Sequence, residues 1–173
     1  MLSRPLIMDK SITLIGMAGA GKSTIGSKLA KLIQFKFLDG DEIIEEKINQ
    51  SIQSFLDRHG GKEFTKIEEE VLLSVDLNKT VLATGGSAVL SDTAMNFLKK
   101  ESEVIFLDVS YENISERILN LSERGLVREP NQSLQDTYNQ RLNLYQKYAD
   151  HVVINDGDID SCLKQLGLLL ETF

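Results

Sequence analysis

Ser11-Ile12-Thr13-Leu14-Ile15-Gly16-Met17-Ala18-Gly19-Ala20-Gly21-Lys22-Ser23-Thr24 runs from a β-branched segment into a glycine-rich turn. The chain then continues with apolar residues at Ile25, Leu29, Leu32 and Ile33 in helical spacing. Strand, loop and helix are predicted. Gly16 to Ser23 fits G-x-x-x-x-G-K-[ST] without a mismatch, and it stands where that motif has its chemistry, between a strand and a helix. Glycines let successive backbone N–H groups turn inward around a phosphate, and the first helical turn adds unpaired N–H groups and its positive dipole end. The predicted cradle is therefore Gly16, Ala18, Gly19, Ala20, Gly21, Lys22, Ser23 and Thr24. Lys22 would reach the β- and γ-phosphates of ATP, and the Ser23 hydroxyl would join the coordination of Mg²⁺. A glycine-rich turn without a ligand is the bland alternative, and the coincidence of strand, motif and helix weighs against it.

Working outward, further apolar strands are expected at Lys36–Leu38, Thr80–Thr84, Glu103–Val109 and His151–Ile154, with helical periodicity between them. Such alternation predicts an α/β fold, a parallel sheet covered by helices on both faces. From Asp41 to Asp76 the chain has no proline, is dense in Ile, Leu, Glu and Lys, and breaks at Gly60-Gly61. Two or three helices fit there, more than one crossover needs, so a helical lobe is expected over about 40–76. The stretch Leu121–Ser133 mixes charge with loop formers and is a candidate lid, about 121–133.

At 173 residues the chain fits a single domain, 1–173. An apolar fraction of 42% and a charged fraction of 26% are those of an ordinary soluble protein, without an apolar run of membrane-spanning length. The first ten residues lack the long apolar stretch and small-residue cleavage site of a secretory signal, so a cytoplasmic location is expected. A net charge of −7 argues against nucleic acid or an anionic membrane as partners. Cys162 is the lone cysteine, which excludes an internal disulfide and points to a small buried residue on the last helix. His59 and His151 lack partners at metal-ligand spacing and are assigned structural or surface roles. Size alone suggests a monomer.

The cradle is shared by motors, GTPases, transporter ATPases and kinases. A guanine-reading N-K-x-D element is missing, and motor and transporter ATPases are generally longer, with a strand ending in a conspicuous metal-binding acid. Asp108 stands on such a strand but is read as an ordinary strand-end residue. A metabolite kinase remains. Phe37-Leu38-Asp39-Gly40-Asp41 then places two carboxylates beyond the second strand, at the end of an open sheet where ligands gather. Residues i and i+2 of an extended segment project to one side, so both could face the cradle. Asp39 would hold the metal and Asp41 would take the proton of the acceptor hydroxyl; the alternative is a helix cap by either.

The chain resembles the shikimate kinase family over nearly its whole length. The likeness is carried by GMAGAGKST, FLDGDEIIEE, FTKIEEEVL, ATGGSAV, LVREP and QRLNLYQKYAD. The resemblance implies a three-layer P-loop fold with a five-stranded parallel sheet in the order 2-3-1-4-5, a substrate-binding lobe after strand two, and a lid. It also implies transfer from ATP, with Mg²⁺, to the 3-hydroxyl of shikimate. Position by position, Ser23 and Asp39 resemble the magnesium-associated residues, and Asp41 the hydroxyl ligand and base. Gly85 and Gly86 resemble the start of a triple-glycine substrate loop. Arg128 resembles the lid arginine, Arg141 one that grips the substrate carboxylate, and Arg117 a position packing against adenine. For each arginine the alternative is a solvated surface charge.

Three positions depart from the family pattern. Phe64-Thr65 stands where Phe-Arg supplies a second carboxylate-binding arginine, with Lys66 about 100° round the helix. Gly85-Gly86-Ser87 replaces the triple glycine, and Arg128-Glu129-Pro130 replaces Arg-Pro. All three fall in the acceptor pocket or lid. The readings carried forward are a kinase for shikimate, a kinase for another cyclic polyol or sugar acid, and a nucleotide-binding protein without catalysis.

Overall fold

Five strands and seven helices account for most of the chain, and the computed structural model describes residues 10–119 and 126–173. The glycine-rich stretch joins β1 (Ser11–Ile15) to α1 (Lys22–Ile33), as its strand-to-helix pattern predicts. Gln34 stops α1 in the left-handed region, at φ 59°, and the chain turns into β2 (Lys36–Asp39). There follow α2 (Gly40–Ile48), α3 (Ile52–Ser74), β3 (Thr80–Ala83), a 3₁₀ turn (Ala88–Leu90), α4 (Asp92–Glu101) and β4 (Ser102–Asp108). The chain closes with α5 (Tyr111–Leu119), α6 (Leu134–Tyr148), β5 (His151–Ile154) and α7 (Ile159–Leu170). The second, third and fourth strands differ from expectation by one residue at their ends. Thr84 N–H still donates to Leu14 O at 3.1 Å, so the pairing frays there rather than stopping.

The sheet is wholly parallel, in the order β2-β3-β1-β4-β5. β1 is flanked on both edges and buried along its whole length, which explains its continuous apolar and β-branched run. Alternation along the strands divides the core into two layers. Ile12, Leu14, Val81, Ile105 and Leu107 pack with Ile25 and Leu29 of α1 and with Cys162 and Leu166 of α7. Ile15, Leu82, Val104 and Phe106 meet Met95 and Leu98 of α4 and Tyr145 of α6 on the other face. Cys162 is buried as expected.

The stretch between β2 and β3 has an apolar cluster of its own, built from Ile44, Ile52, Phe55, Phe64 and Val71. Gly60, at φ 77° and ψ 171°, breaks α3 where the glycine pair predicted a break, so the segment reads as three helical pieces. Val127 packs onto the same cluster. The lid assignment falls partly on 121–125, which lie outside the described residues, as do 1–9.

Ser133 begins α6 with a reciprocal capping box: its hydroxyl accepts from Asp136 N–H at 3.0 Å, and the Asp136 carboxylate accepts from Ser133 N–H at 3.2 Å. This cap sets the start of the helix that carries Arg141 and Tyr145.

Candidate active site

Backbone geometry builds the cradle before any side chain does. Gly21 is the N-cap of α1 at φ 89°, and no side chain bonds to the first N–H groups of the helix, which leaves the anion-binding end of α1 uncapped. Gly16 sits at φ 148° with Leu107 O so near that a Cβ would lie 2.8 Å away, so only glycine fits. Ala20 N–H donates to Met17 O at 3.0 Å and closes the turn. Asn155, buried beyond β5, donates from Nδ2 to Ala20 O at 2.8 Å and supports the loop from behind.

Lys22 is buried and donates from Nζ to Gly16 O and Met17 O, at 2.7 Å each. Burial pushes its ammonium down to about 8, against the opposing pull of Asp41 and Asp39. Arg117 on α5 donates to Gly19 O at 3.2 Å and Asn155 O at 3.1 Å, which ties it to the outer side of the loop. The cradle residues predicted from sequence are thus brought together, with Arg117 against them.

The acidic pair is not the extended i, i+2 arrangement expected. α2 begins at Gly40, one residue earlier than that expectation allows, so Asp39 ends a strand while Asp41 stands in the first turn of a helix. Asp39 acts as N-cap, accepting from Asp41 N–H at 3.0 Å through Oδ1. Its Oδ2 also accepts from the Ser23 hydroxyl. The two roles weighed as alternatives for Asp39, a cap and a partner of the cradle, therefore coexist on its two oxygens. A hydroxyl and a carboxylate at the mouth of a phosphate cradle are hard oxygen donors that fit Mg²⁺. No group of three or more His, Cys, Asp or Glu able to hold a metal exists among the described residues.

The loop after β3 joins this corner to the acceptor side. A Cβ on Gly85 would stand 2.7 Å from Asp41 Oδ1 and 2.6 Å from Glu68 Oε1, so two carboxyl groups flank that glycine. A Cβ on Gly86 would stand 3.0 Å from Ala18 N and 3.5 Å from Arg141 Nη1, so this second glycine lies between cradle and arginine. Tyr145 fixes the loop by donating from Oη to Gly86 O at 2.6 Å, and its burial raises the pKa of its own hydroxyl. Arg141 is only 2% exposed and donates from Nη2 to Val127 O, so its surface-charge alternative does not hold.

Four of the singled-out residues make no hydrogen bond or ion pair to this cluster among the described residues. Thr65 is half-buried and spends its hydroxyl on Gly61 O, 2.7 Å away, one turn back along α3. Lys66 is exposed and paired with Glu63 at 2.8 Å, so it does not take the place of the absent arginine. Arg128 is exposed, and among the described residues no hydrogen bond or ion pair joins it to the cradle. Glu129 is exposed beside it.

Glu68 escaped the sequence analysis. It is 2% exposed, accepts from Ser87 Oγ at 2.5 Å through Oε2, and among the described residues has no hydrogen-bond partner on Oε1. Burial pushes its carboxyl up to about 7, only partly offset by the Ser87 bond. The signal was present: Phe64, Glu68, Val71 and Leu72 form an i, i+4, i+7, i+8 stripe, and an acid on the core stripe of a helix calls for a reason. Tyr145 and Asn155 gave no comparable sign, because their contacts cross 59 and 135 positions of chain.

A parallel sheet in this order, with a phosphate cradle after its central strand and an acid-flanked glycine loop beside it, defines a small-molecule kinase of the P-loop class. The shikimate kinase family model matches residues 18–167. The shikimate kinase of Francisella tularensis subsp. novicida is 37% identical over 156 residues, covering 88% of this chain and 89% of that one. The solved shikimate kinase from Acinetobacter baumannii, in complex with shikimate, superposes with a TM-score of 0.84 at 32% identity, covering 96% of this chain and 95% of that one. The enzyme from Aquifex aeolicus gives 0.79 at 33% identity, covering 92% and 95%. The chain belongs to the shikimate kinase family, whose members are ATP-dependent phosphotransferases.

Proposed function

We propose that this chain transfers the γ-phosphoryl group of ATP to the 3-hydroxyl of shikimate. One observation carries the reading. The Gly85-Gly86 loop touches the cradle at Ala18, the carboxylate of Asp41 and the guanidinium of Arg141 within two residues, so donor and acceptor sites share a wall. On this reading the cradle holds the phosphates, and Lys22 exchanges its bonds to Gly16 O and Met17 O for phosphate oxygens. Ser23 and Asp39 would hold Mg²⁺, which when bound would supply positive charge against the charge that develops on the transferring phosphoryl group. Asp41 accepts the proton of the attacking hydroxyl, the new O–P bond forms, and the bond from γ-phosphorus to the ADP oxygen breaks. Arg141 grips the acceptor carboxylate, Gly85 and Gly86 allow its close approach, and Thr65 lines the pocket in place of a second arginine. Arg117 lies where adenine would pack. Arg128 closes with the lid and spreads positive charge over the migrating group, while closure excludes water as a competing acceptor. The enzyme acts as a cytoplasmic monomer; separately, no helix among the described residues is long and apolar enough to cross a membrane.

A second reading has its own observation. Thr65 brings no cation and Glu68 brings a buried acid, so the pocket also suits a cyclic polyol without a carboxylate. An ADP-release assay with Mg-ATP separates them: turnover on shikimate supports the first, and turnover confined to uncharged polyols supports the second. ATP binding without turnover on any acceptor would mean a protein that has kept its nucleotide site and lost catalysis.

A further inference from the structure

Side chains hold the carbonyls of the cradle loop. Lys22 takes Gly16 O and Met17 O, Arg117 takes Gly19 O at 3.2 Å, and Asn155 takes Ala20 O, donating from Nδ2 at 2.8 Å. On the proposed reading the first two have other partners once nucleotide is bound, since Lys22 turns to phosphate oxygens and Arg117 lies where adenine would pack. Asn155 has no such call on it. It stands directly after the apolar run of β5 and is 5% exposed. Its main chain is fixed on both sides, the N–H donating to Asp108 O at 2.8 Å and the carbonyl accepting from Arg117 Nη2 at 3.1 Å. A buried carboxamide is costly unless it is bonded, and the bond that Asn155 makes is to the loop.

The planar peptide unit turns this bond into an orientation. Ala20 C=O and Gly21 N–H belong to one trans unit, so they point in opposite directions. A donor that holds Ala20 O from behind therefore turns Gly21 N–H away from itself, next in the chain to the uncapped N–H groups of α1. Among the described residues no hydrogen bond takes that N–H. Gly21 is at φ 89°, and glycine moves freely between conformations, so the local chain does not fix the unit by itself. The carboxamide also lies against Gly21, where a Cβ would meet Asn155 Nδ2 at 3.1 Å.

We infer that Asn155 is a positioning residue for the phosphoryl donor: its carboxamide sets the Ala20–Gly21 peptide unit so that Gly21 N–H faces the anionic tail of the nucleotide. The inference rests on the nucleotide half of the proposed reading. It requires a donor at this position. An apolar side chain of the same size leaves Ala20 O unpaired, and a carboxylate of the same shape sets a negative charge against that oxygen and behind the phosphates. Either substitution keeps the main-chain carbonyl that Arg117 bonds, so the side of the site assigned to adenine is retained.

Calorimetry of Mg-ADP binding to the full chain, together with steady-state kinetics, tests this. Asn155→Leu should weaken Mg-ADP and raise the KM for ATP about three- to tenfold, the scale of one hydrogen bond. The loss is of uniform binding, so kcat and the KM for shikimate at saturating Mg-ATP should stay within about twofold. Asn155→Asp should weaken Mg-ADP by at least about tenfold at pH 7.5, because a charge is added to the lost donor. Its carboxyl regains an O–H donor on protonation, so its affinity relative to wild type should recover between pH 7.5 and pH 5. A residue that only packs would lower the thermal midpoint of both variants and leave the Mg-ADP affinity of the folded protein as in the wild type, which would overturn the inference. Equal rises in the KM for ATP and for shikimate would overturn it too, because they report a general loosening of the site. A wild-type chain that gives no heat with Mg-ADP would instead sink the nucleotide reading.

Discussion

The nucleotide half of the site and its acceptor half are built from different materials, and they differ in how closely this chain keeps the family pattern. The cradle is backbone: glycine conformations, a helix end, carbonyls that hold Lys22, and a loop so close to β4 that a Cβ on Gly16 would lie 2.8 Å from Leu107 O. A backbone site stands or falls as one piece. The acceptor wall is a set of separate side chains from α3, α6 and the loop after β3, and each can change alone. All three departures lie there or in the lid. The difference teaches that the phosphoryl donor is settled by geometry, whereas the acceptor is settled by a few charges.

The largest effects should come from the donor side and its junction with the acceptor. Lys22→Ala removes the lysine bonded to the cradle carbonyls and should lower kcat by at least about a thousandfold, the scale of losing a preorganised charge on the transferring group. Asp41→Asn should cost on the order of 10²–10⁴ in kcat while nucleotide binding persists. Single-turnover rates with saturating ATP measure both. An Asp41→Asn enzyme with full turnover would remove that residue from the role of base and break the link between the halves.

A smaller effect should appear in stability. Glu68 titrates near 7 in the folded protein against an ordinary 4.5. Below 4.5 both folded and unfolded chains carry the proton, and the contribution of this group is intact. As pH rises towards 7 the unfolded chain releases its proton first, and folding stability declines by on the order of 3 kcal/mol. Glu68→Gln avoids that decline, so its stability relative to wild type should improve between pH 4.5 and pH 8. Urea midpoints at the two pH values give the comparison, and an equal difference at both would show that the buried carboxyl does not titrate in this window.

How far these features were legible in the sequence depends on how local they are. The β1-loop-α1 unit was readable because its chemistry lies within fourteen consecutive residues. The helical surplus before β3 was readable from periodicity and the Gly60 break. Asp39 and Asp41 were found, but their geometry was misjudged, since the capping preference of Asp39 pulled Gly40 into a helix where an extended segment was expected. Thr65 and Ser87 stood out only against the family pattern. Glu68 was hidden because its meaning depends on Ser87, nineteen positions away, and on Gly85.

Thr65→Arg sharpens the comparison most, because it restores a side chain that the donor half never needed. Thr65 and Glu68 lie three apart on α3, close enough for a guanidinium at 65 to meet the carboxyl at 68. The new arginine should grip the acceptor carboxylate, and a charge-assisted pair of about 1.5–3 kcal/mol corresponds to a KM for shikimate lowered roughly tenfold to a hundredfold. Breaking the hydroxyl bond to Gly61 O should cost little, since that carbonyl accepts within a helix. The KM for shikimate at saturating Mg-ATP reads this effect. An unchanged or higher KM would show that the pocket does not present a carboxylate at this position.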